Sequence, residues 1–164
     1  MNAGAVARLA AVTSLVAALG LLSACSDDAV RIDTATPSGT DQGPCRNLLS
    51  ALPDHVADQP ARTVEPDHAW GAAWGDPPIV LTCGVAAPDG FRRTSSCTTV
   101  DGVDWFIPEK QLEASAPREL TMTTVNRAQY VQVRMPADYW PPATTLADVS
   151  TVIRSVVQKT GACT

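Results

Sequence analysis

The sequence predicts an α+β domain in which a small antiparallel sheet carries an N-terminal and a C-terminal helix on one face, with two disulfides. Two observations support this fold: helical periodicity at both ends of one region with strand-like alternation between them, and an even number of cysteines in that region. The chain has 164 residues, the length of one domain. Its formal net charge of -5 argues against a nucleic-acid partner, which requires clustered Lys and Arg.

Residues 1–24 predict a lipoprotein signal peptide. The apolar run over residues 9–22 follows Arg8 and is too short to span a bilayer. It ends in Leu22-Ser23-Ala24-Cys25, which resembles the bacterial lipobox, in which the cysteine is acylated and becomes the new N-terminus. An ordinary secretory signal followed by an unmodified Cys25 is the alternative. Because two acyl chains anchor a protein stably, we expect the lipid bilayer as a partner and the outer face of the cytoplasmic membrane as the location.

Residues 26–44 are rich in Asp, Thr, Ser, Gly and Pro and have no sustained apolar period. Such a composition cannot bury enough apolar surface to order itself. We therefore expect residues 25–44 to comprise the acylated cysteine and a flexible tether with a reach of about 25 Å. The folded domain is expected over residues 45–164.

The first predicted element of that domain is a short helix over residues 44–52. Cys45, Leu48, Leu49 and Leu52 fall on one helical face. Pro44 suits the first turn and Pro53 ends the helix. Residues 53–78, with their five prolines, are expected to be irregular.

The strands follow. Residues 79–85 alternate strongly, and residues 97–100 and 103–107 flank Asp101-Gly102, which indicates a tight hairpin turn. Residues 119–125 alternate weakly. Residues 130–135 alternate cleanly, with Val131, Val133 and Met135 facing inward and Tyr130, Gln132 and Arg134 outward.

A second helix is predicted after Pro141-Pro142. Thr144 or Thr145 is the expected cap, and Gly161 is the expected end. Lys159 lies in the expected last turn, favourable at the negative end of a helix. The apolar stripe of this helix comprises Leu146, Val149, Val152, Ile153, Val156 and Val157.

Apart from Cys25, the cysteines are Cys45, Cys83, Cys97 and Cys163. An even number in an exported domain indicates disulfides, and four cysteines allow three pairings. The turn-rich loop between Cys83 and Cys97 favours that pair, which leaves Cys45 with Cys163. A zinc site would require paired C-x2-C spacings that the sequence lacks, so we predict neither a metal nor a cofactor.

Three stretches resemble the DUF3515 family, exported or lipid-anchored actinobacterial proteins of unknown function. These are residues 45–53 (CRNLLSALP), residues 73–85 (AWGDPPIVLTCGV) and residues 100–105 (VDGVDW). Thr82 stands where the resemblance implies Arg. The resemblance covers residues 45–163 and implies a compartment and a fold but no activity.

The sequence offers no motif of nucleophilic, metal-dependent or nucleotide-dependent catalysis, so we predict that the protein is not an enzyme. We interpret His55 and His68 as exposed loop residues. Asp101 and Asp104 are interpreted as a turn residue and an exposed strand residue rather than a catalytic carboxylate pair.

The candidate binding residues are Trp70, Trp74 and Arg127. A tryptophan in a rigid loop suits a binding hot spot, and Arg127 suits a carboxylate or phosphate. The alternatives are tryptophans that fill the core and an arginine in a solvated turn. The leading hypothesis is a non-enzymatic module that binds an envelope protein through the loop over residues 70–78. Binding of a small ligand or cell-wall fragment is the second hypothesis, and hydrolysis of envelope material the third.

Overall fold

The structure is a computed structural model that describes residues 28–113 and 115–163. The predicted signal peptide and the predicted lipidation site Cys25 lie outside the described residues. Within them, no helix combines the length and the apolar character that are needed to cross a membrane.

Ten strands and three α-helices make up the described part of the chain. The strands are β1 (Val30–Arg31), β2 (His55–Val56), β3 (Gln59–Arg62), β4 (Val64–Glu65), β5 (Gly71–Trp74), β6 (Ile79–Cys83), β7 (Thr98–Val100), β8 (Val103–Phe106), β9 (Leu120–Val125) and β10 (Val131–Met135). The helices are α1 (Gly39–Ala51), α2 (Glu109–Leu112) and α3 (Ala143–Val156), and one 3₁₀ turn covers Ala137–Tyr139.

Eight strands form one sheet in the order β2-β3-β5-β6-β10-β9-β8-β7, and every neighbouring pair is antiparallel. Asp101 and Gly102 join β7 to β8 with φ angles of 48° and 78°, as the predicted tight turn requires. The remaining strands, β1 and β4, form a separate parallel pair. The predicted fold class is confirmed.

The main core lies between one face of the sheet and the helices α1 and α3, as predicted. Inward residues of the central strands meet the buried face of each helix. The predicted inward set of β10 and the predicted stripe of α3 belong to this core, with Val152 and Val156 at its margin. We call this side of the sheet the helix face. Its principal members are Cys45, Leu48, Leu81, Trp105, Met122, Val133, Leu146, Val149 and Ile153.

The short β1–β4 pair and irregular segments cover the opposite side of the sheet, which we call the second face. Ile32 packs there against Ala73 and Val80 in a small separate cluster. Further along, Phe91 contacts Phe106 edge to face with ring centroids 5.4 Å apart. No α-helix of the described residues packs on this face in either cluster.

Two predictions about segment boundaries are wrong. The expected tether over residues 26–44 is partly folded, because β1 pairs with β4 and α1 begins at Gly39, with Pro44 inside it. The expected irregular region over residues 53–78 contains four strands. Each of these strands is only two to four residues long, so none repeats the alternation often enough to be recognised.

The predicted disulfide pairing is also wrong. The bonds join Cys45 to Cys83 and Cys97 to Cys163, with Cα–Cα distances of 5.6 and 6.2 Å. The strands β10, β9 and β8 separate β6, which ends in Cys83, from β7. At about 4.8 Å per strand, this places the two strands roughly 19 Å apart, too far for the disulfide that we expected between Cys83 and Cys97.

The termini of α3 differ from the prediction. Neither threonine caps the helix, because Pro142 occupies the N-cap position. Thr145 is instead buried, and its hydroxyl donates to Sδ of Met135 at 3.3 Å. The helix ends at Val156, with Val157 as its C-cap residue, rather than at Gly161.

Candidate functional site

The predicted binding residues do not form one site. Trp74 is 1% exposed, and its Nε1 donates to the carbonyl oxygen of Pro53 at 3.0 Å. Trp70 is also buried in the main core, with the Arg46 guanidinium 4.3 Å from its ring centroid. The interpretation of these tryptophans as core residues agrees with their burial. Arg127 lies in the wall of a cavity to which neither tryptophan contributes.

The alternative interpretation of Arg127 as a solvated turn residue is wrong. It is buried, and its guanidinium donates to the carbonyl oxygens of Val157 at 2.6 Å and Gly102 at 2.8 Å. Desolvation lowers its pKa, with the positive charge of Arg154 acting in the same direction and Asp104 opposing both. The side chain therefore joins the end of α3 to the β7–β8 turn.

Asp104 differs from its prediction as an exposed residue. It is buried and accepts hydrogen bonds from Thr99 Oγ1 at 2.8 Å, Asn126 Nδ2 at 3.2 Å and the amide of Cys163 at 3.1 Å. Desolvation alone raises its pKa, but these hydrogen bonds and the charge of Lys159 outweigh that effect, so the pKa lies below its ordinary value. These contacts indicate a structural carboxylate.

The two histidines are exposed, as predicted, although His55 lies in β2 rather than in a loop. Residues 28–113 and 115–163 contain no group of three or more His, Cys, Asp or Glu side chains placed to hold a metal ion.

The buried Trp105 donates from Nε1 to Oγ of Ser150 at 3.0 Å. This bond ties β8 to α3 within the core.

A groove of about 360 Å³ lies on the second face of the sheet. Residues 31–35 form one wall, and we call this segment the strap. Val80, Thr82, Gln132 and Arg134 contribute from β6 and β10, and the chain just after β6 completes the lining. The volume lies within the range of small-ligand sites, about 300–1,000 Å³.

The strap is fastened at both ends. At one end, the amides of Val30 and Ile32 donate to the carbonyl oxygens of Thr63 and Glu65 at 2.8 and 2.9 Å. At the other end, Pro37 is buried. Between these points Asp33, Ala35 and Thr36 are exposed and only Thr34 is half-buried. The segment thus crosses the sheet while its middle remains accessible.

Two glycines allow this close approach. A Cβ at Gly71 would lie 2.5 Å from the carbonyl oxygen of Leu81 and 3.1 Å from the Ile32 side chain. A Cβ at Gly84, where φ is +77°, would lie 2.5 Å from Pro37. Because a side chain at either position would force its neighbours to shift, the missing Cβ atoms keep the strap close to the sheet.

The groove presents polar groups of several kinds. Gln132 contacts Thr123 through its amide at 3.3 Å. Arg31 pairs with Asp33 at 3.3 Å, but both side chains are largely exposed. The side chain of the exposed Arg134 makes no hydrogen bond or ion pair with another described residue. A bound partner would therefore meet a guanidinium, an amide and the Thr82 hydroxyl beside the aliphatic Val80.

Sequence reasoning missed this groove. The outward positions of Gln132 and Arg134 were predicted, and Thr82 was noted as a departure from the family resemblance. The position of the strap could not be predicted, because residues 30–37 show no periodic pattern of apolar residues that would indicate packing. No local signal in the sequence shows that these residues return to the sheet.

The predicted family is supported by direct comparison. The family model described as "Protein of unknown function (DUF3515)" matches residues 4–161, nearly the whole chain. No curated protein and no solved structure gave a significant match. The chain belongs to the DUF3515 family.

Proposed function

We propose that this protein is an exported, lipid-anchored, non-enzymatic interaction module that binds an envelope partner in the groove beneath the strap. The observation that carries the proposal is the position of the strap. The segment that closes the groove begins six residues after Cys25. The proposed anchor and the proposed site are thus adjacent in the chain.

Two features support export: the disulfides and the lipobox-like sequence. Disulfides persist in oxidising compartments and are rare in the cytosol, and this chain holds two of them. The lipobox-like residues 22–25 precede the folded part. Together these features favour a domain held at the outer face of the cytoplasmic membrane.

The distance between anchor and groove is short. Val30, the first residue of β1, is the fifth residue after Cys25, and an extended chain over these five steps spans at most about 18 Å. The long tether that we expected would have allowed a wider search. A short connection instead favours a partner that is itself close to the membrane surface, where the effective concentration of the two is high.

Anchoring is tested first with Cys25→Ala. We expect metabolic labelling with an alkyne fatty acid to mark the native protein and not the variant, and we expect the variant to leave the membrane fraction. Equal labelling of both proteins would contradict anchoring at Cys25. This result would leave the groove itself to be tested separately.

Binding in the groove is tested with a photo-crosslinking residue at Thr34, in the strap, in living cells. The control carries the same residue at the exposed Thr151 of α3, on the other side of the sheet. We expect a discrete crosslinked species only from Thr34, and we expect Arg134→Gln to diminish it while Arg93→Gln has no effect. The same products from Thr34 and Thr151, or none from either, would contradict the proposal.

A small ligand is the second candidate for the same groove, and the volume of about 360 Å³ favours it. Native mass spectrometry of the full chain released from membranes distinguishes the two. A bound mass of a few hundred daltons that Arg134→Gln removes would identify a small ligand, whereas a crosslinked protein without such a mass would identify a protein partner.

A further inference from the structure

A second cavity lies where three segments of the chain meet at the C-terminal end of α3. Its volume is about 530 Å³, and its wall consists of Gly102, Arg127 and residues 154–159. We call it the basic pocket. It shares no lining residue with the groove beneath the strap, so a ligand can bind there whether or not the groove is occupied.

All charged residues in this wall are cations. Arg127, Arg154 and Lys159 contribute three positive charges, and no carboxylate belongs to the lining. Asp104 interacts electrostatically with Arg127 and Lys159 and compensates one of these charges. Two positive charges therefore remain without a compensating group in the wall, which favours an anion in the cavity.

The end of the helix does not account for all three cations. Cations are favourable near the C-terminus of a helix because its last carbonyl groups lack partners. Arg127 already makes this contact by donating to Val157. Arg154 and Lys159 are exposed, and neither side chain makes a hydrogen bond or ion pair with another described residue. Their N–H groups remain available to a ligand.

The pocket is held by backbone contacts on several sides. Arg127 and Lys159 form an antiparallel bridge. The amide of Ala128 donates to Gln158 at 2.9 Å, and that of Thr160 donates to Asn126 at 2.8 Å. The disulfide from Cys97 to Cys163 fastens the segment beyond them. The cations thus stand on a prearranged backbone, which reduces the entropy lost on binding.

We propose that the basic pocket binds a phosphate group through Arg127, Arg154 and Lys159. Guanidinium groups suit phosphate oxygens because two N–H groups can donate in parallel, and an ammonium adds a point charge. The net positive charge matches a dianionic phosphate better than a single carboxylate. The group can belong to a free phosphorylated molecule, whose monoester carries up to two negative charges, or to a phospholipid headgroup, whose diester carries one.

The test is an NMR titration of the isotope-labelled full chain, in non-ionic detergent and at constant ionic strength, with inorganic phosphate. We expect saturable amide shifts at Gly102, Arg127 and residues 154–159. The double variant Arg154→Gln/Lys159→Gln should weaken binding by roughly tenfold or more, because it removes two charge-assisted contacts. The exposed pair Arg92→Gln/Arg93→Gln is the matched control, and we expect it to leave the affinity unchanged.

The source of the phosphate is identified by two further titrants, glycerol 3-phosphate and glycerophosphoglycerol. Tighter binding of the monoester would indicate a free phosphorylated molecule, and tighter binding of the diester would indicate a lipid headgroup. Shifts that rise linearly without saturation, or an equal loss of affinity in both double variants, would overturn the proposal. Thermal unfolding of the two double variants verifies that both are folded, since all four substituted side chains are exposed.

Discussion

The two faces of the eight-stranded sheet are built in different ways. On the helix face, strands and two amphipathic helices form one large apolar core. On the second face, the short β1–β4 pair and irregular segments cover the sheet, and among the described residues the apolar cluster around Ile32 has two other buried members, Ala73 and Val80. The groove beneath the strap lies on this second face.

This difference separates stability from the candidate binding site. Buried apolar area is the main favourable term in folding, and most of it lies on the helix face. The second face contributes less and can therefore carry polar side chains such as Thr82 and Gln132 in a partly open groove. Substitutions on the two faces should therefore differ in how much they destabilise the protein and in how far their effect spreads through the structure.

The largest expected effects come from the two disulfides. In the chain-entropy model, loops of 38 and 66 residues each correspond to about 4 kcal/mol of unfolding free energy. Cys45 and Cys83 are in addition fully buried on the helix face, whereas the other pair is partly exposed. We expect Cys45→Ala/Cys83→Ala to destabilise more than the corresponding double variant of Cys97 and Cys163, despite the shorter loop.

Urea unfolding of the two double variants and the native protein measures this difference. Peptide mapping of the unreduced native protein provides the control, because it must show the same two pairs. A larger loss of unfolding free energy on removal of the bond between Cys97 and Cys163 would mean that loop length determines the stabilisation. Burial on the helix face would then contribute little.

A matched pair of apolar truncations measures the two faces directly. Leu48 is fully buried on α1, and Ile32 is 4% exposed on the strap. We expect Leu48→Ala to cost about 3 kcal/mol and Ile32→Ala about 2 kcal/mol, because the smaller cluster can close around the space. Both values come from denaturant unfolding.

The kind of effect should differ as well. Hydrogen exchange should accelerate across the whole sheet in Leu48→Ala but mainly at residues 30–35 in Ile32→Ala. Uniform acceleration in both variants would show that the strap unfolds together with the core. In that case the strap would not be a separately opening segment.

Two glycines with nearly the same backbone angle sharpen the comparison further. Gly84 and Gly90 have φ angles of 77° and 78°, but only a Cβ at Gly84 would meet Pro37. Gly90→Ala should cost about 1–2 kcal/mol from backbone strain alone. Gly84→Ala should lower the free energy of unfolding more than Gly90→Ala does. Only Gly84→Ala should make the strap accessible to limited proteolysis. Equal losses and equal proteolysis would show that Pro37 adapts without moving the strap.

The same contrast explains what the sequence could predict. The helix face was accessible because residues on α3 and β10 repeat with the period of their element. Val131, Val133 and Met135 were placed correctly for this reason. A periodic pattern reports burial against one continuous surface.

The second face lacks such a pattern. The position of the strap depends on contacts between Ile32 and β5–β6 and between Pro37 and Gly84, which are distant in sequence. The error in disulfide pairing has the same origin, since it assumed that consecutive strands are neighbours. In the sheet, β10 lies beside β6, although β7 follows β6 in the chain.

The smallest expected effect concerns Asp104, the buried carboxylate of the second face. Its folded-state pKa lies below the ordinary value because hydrogen bonds from Thr99, Asn126 and Cys163 and the charge of Lys159 outweigh desolvation. The folded state therefore binds the proton more weakly than the unfolded state. The resulting stabilisation is present above the unfolded-state pKa, about 3.9, and is lost as the pH falls through the folded-state pKa.

Asp104→Asn tests this linkage. We expect the variant to be less stable than the native protein at pH 7 by about 1–2 kcal/mol, since an amide forms weaker hydrogen bonds than a carboxylate. The difference should shrink as the pH is lowered below about 4, because protonation removes the advantage of the native residue. Thermal unfolding across this range measures it, with Asp33→Asn as the control for the loss of an exposed carboxylate. A difference in stability that stays constant down to pH 2 would mean that Asp104 stabilises the second face through packing, as the apolar residues stabilise the helix face, and not through its charge.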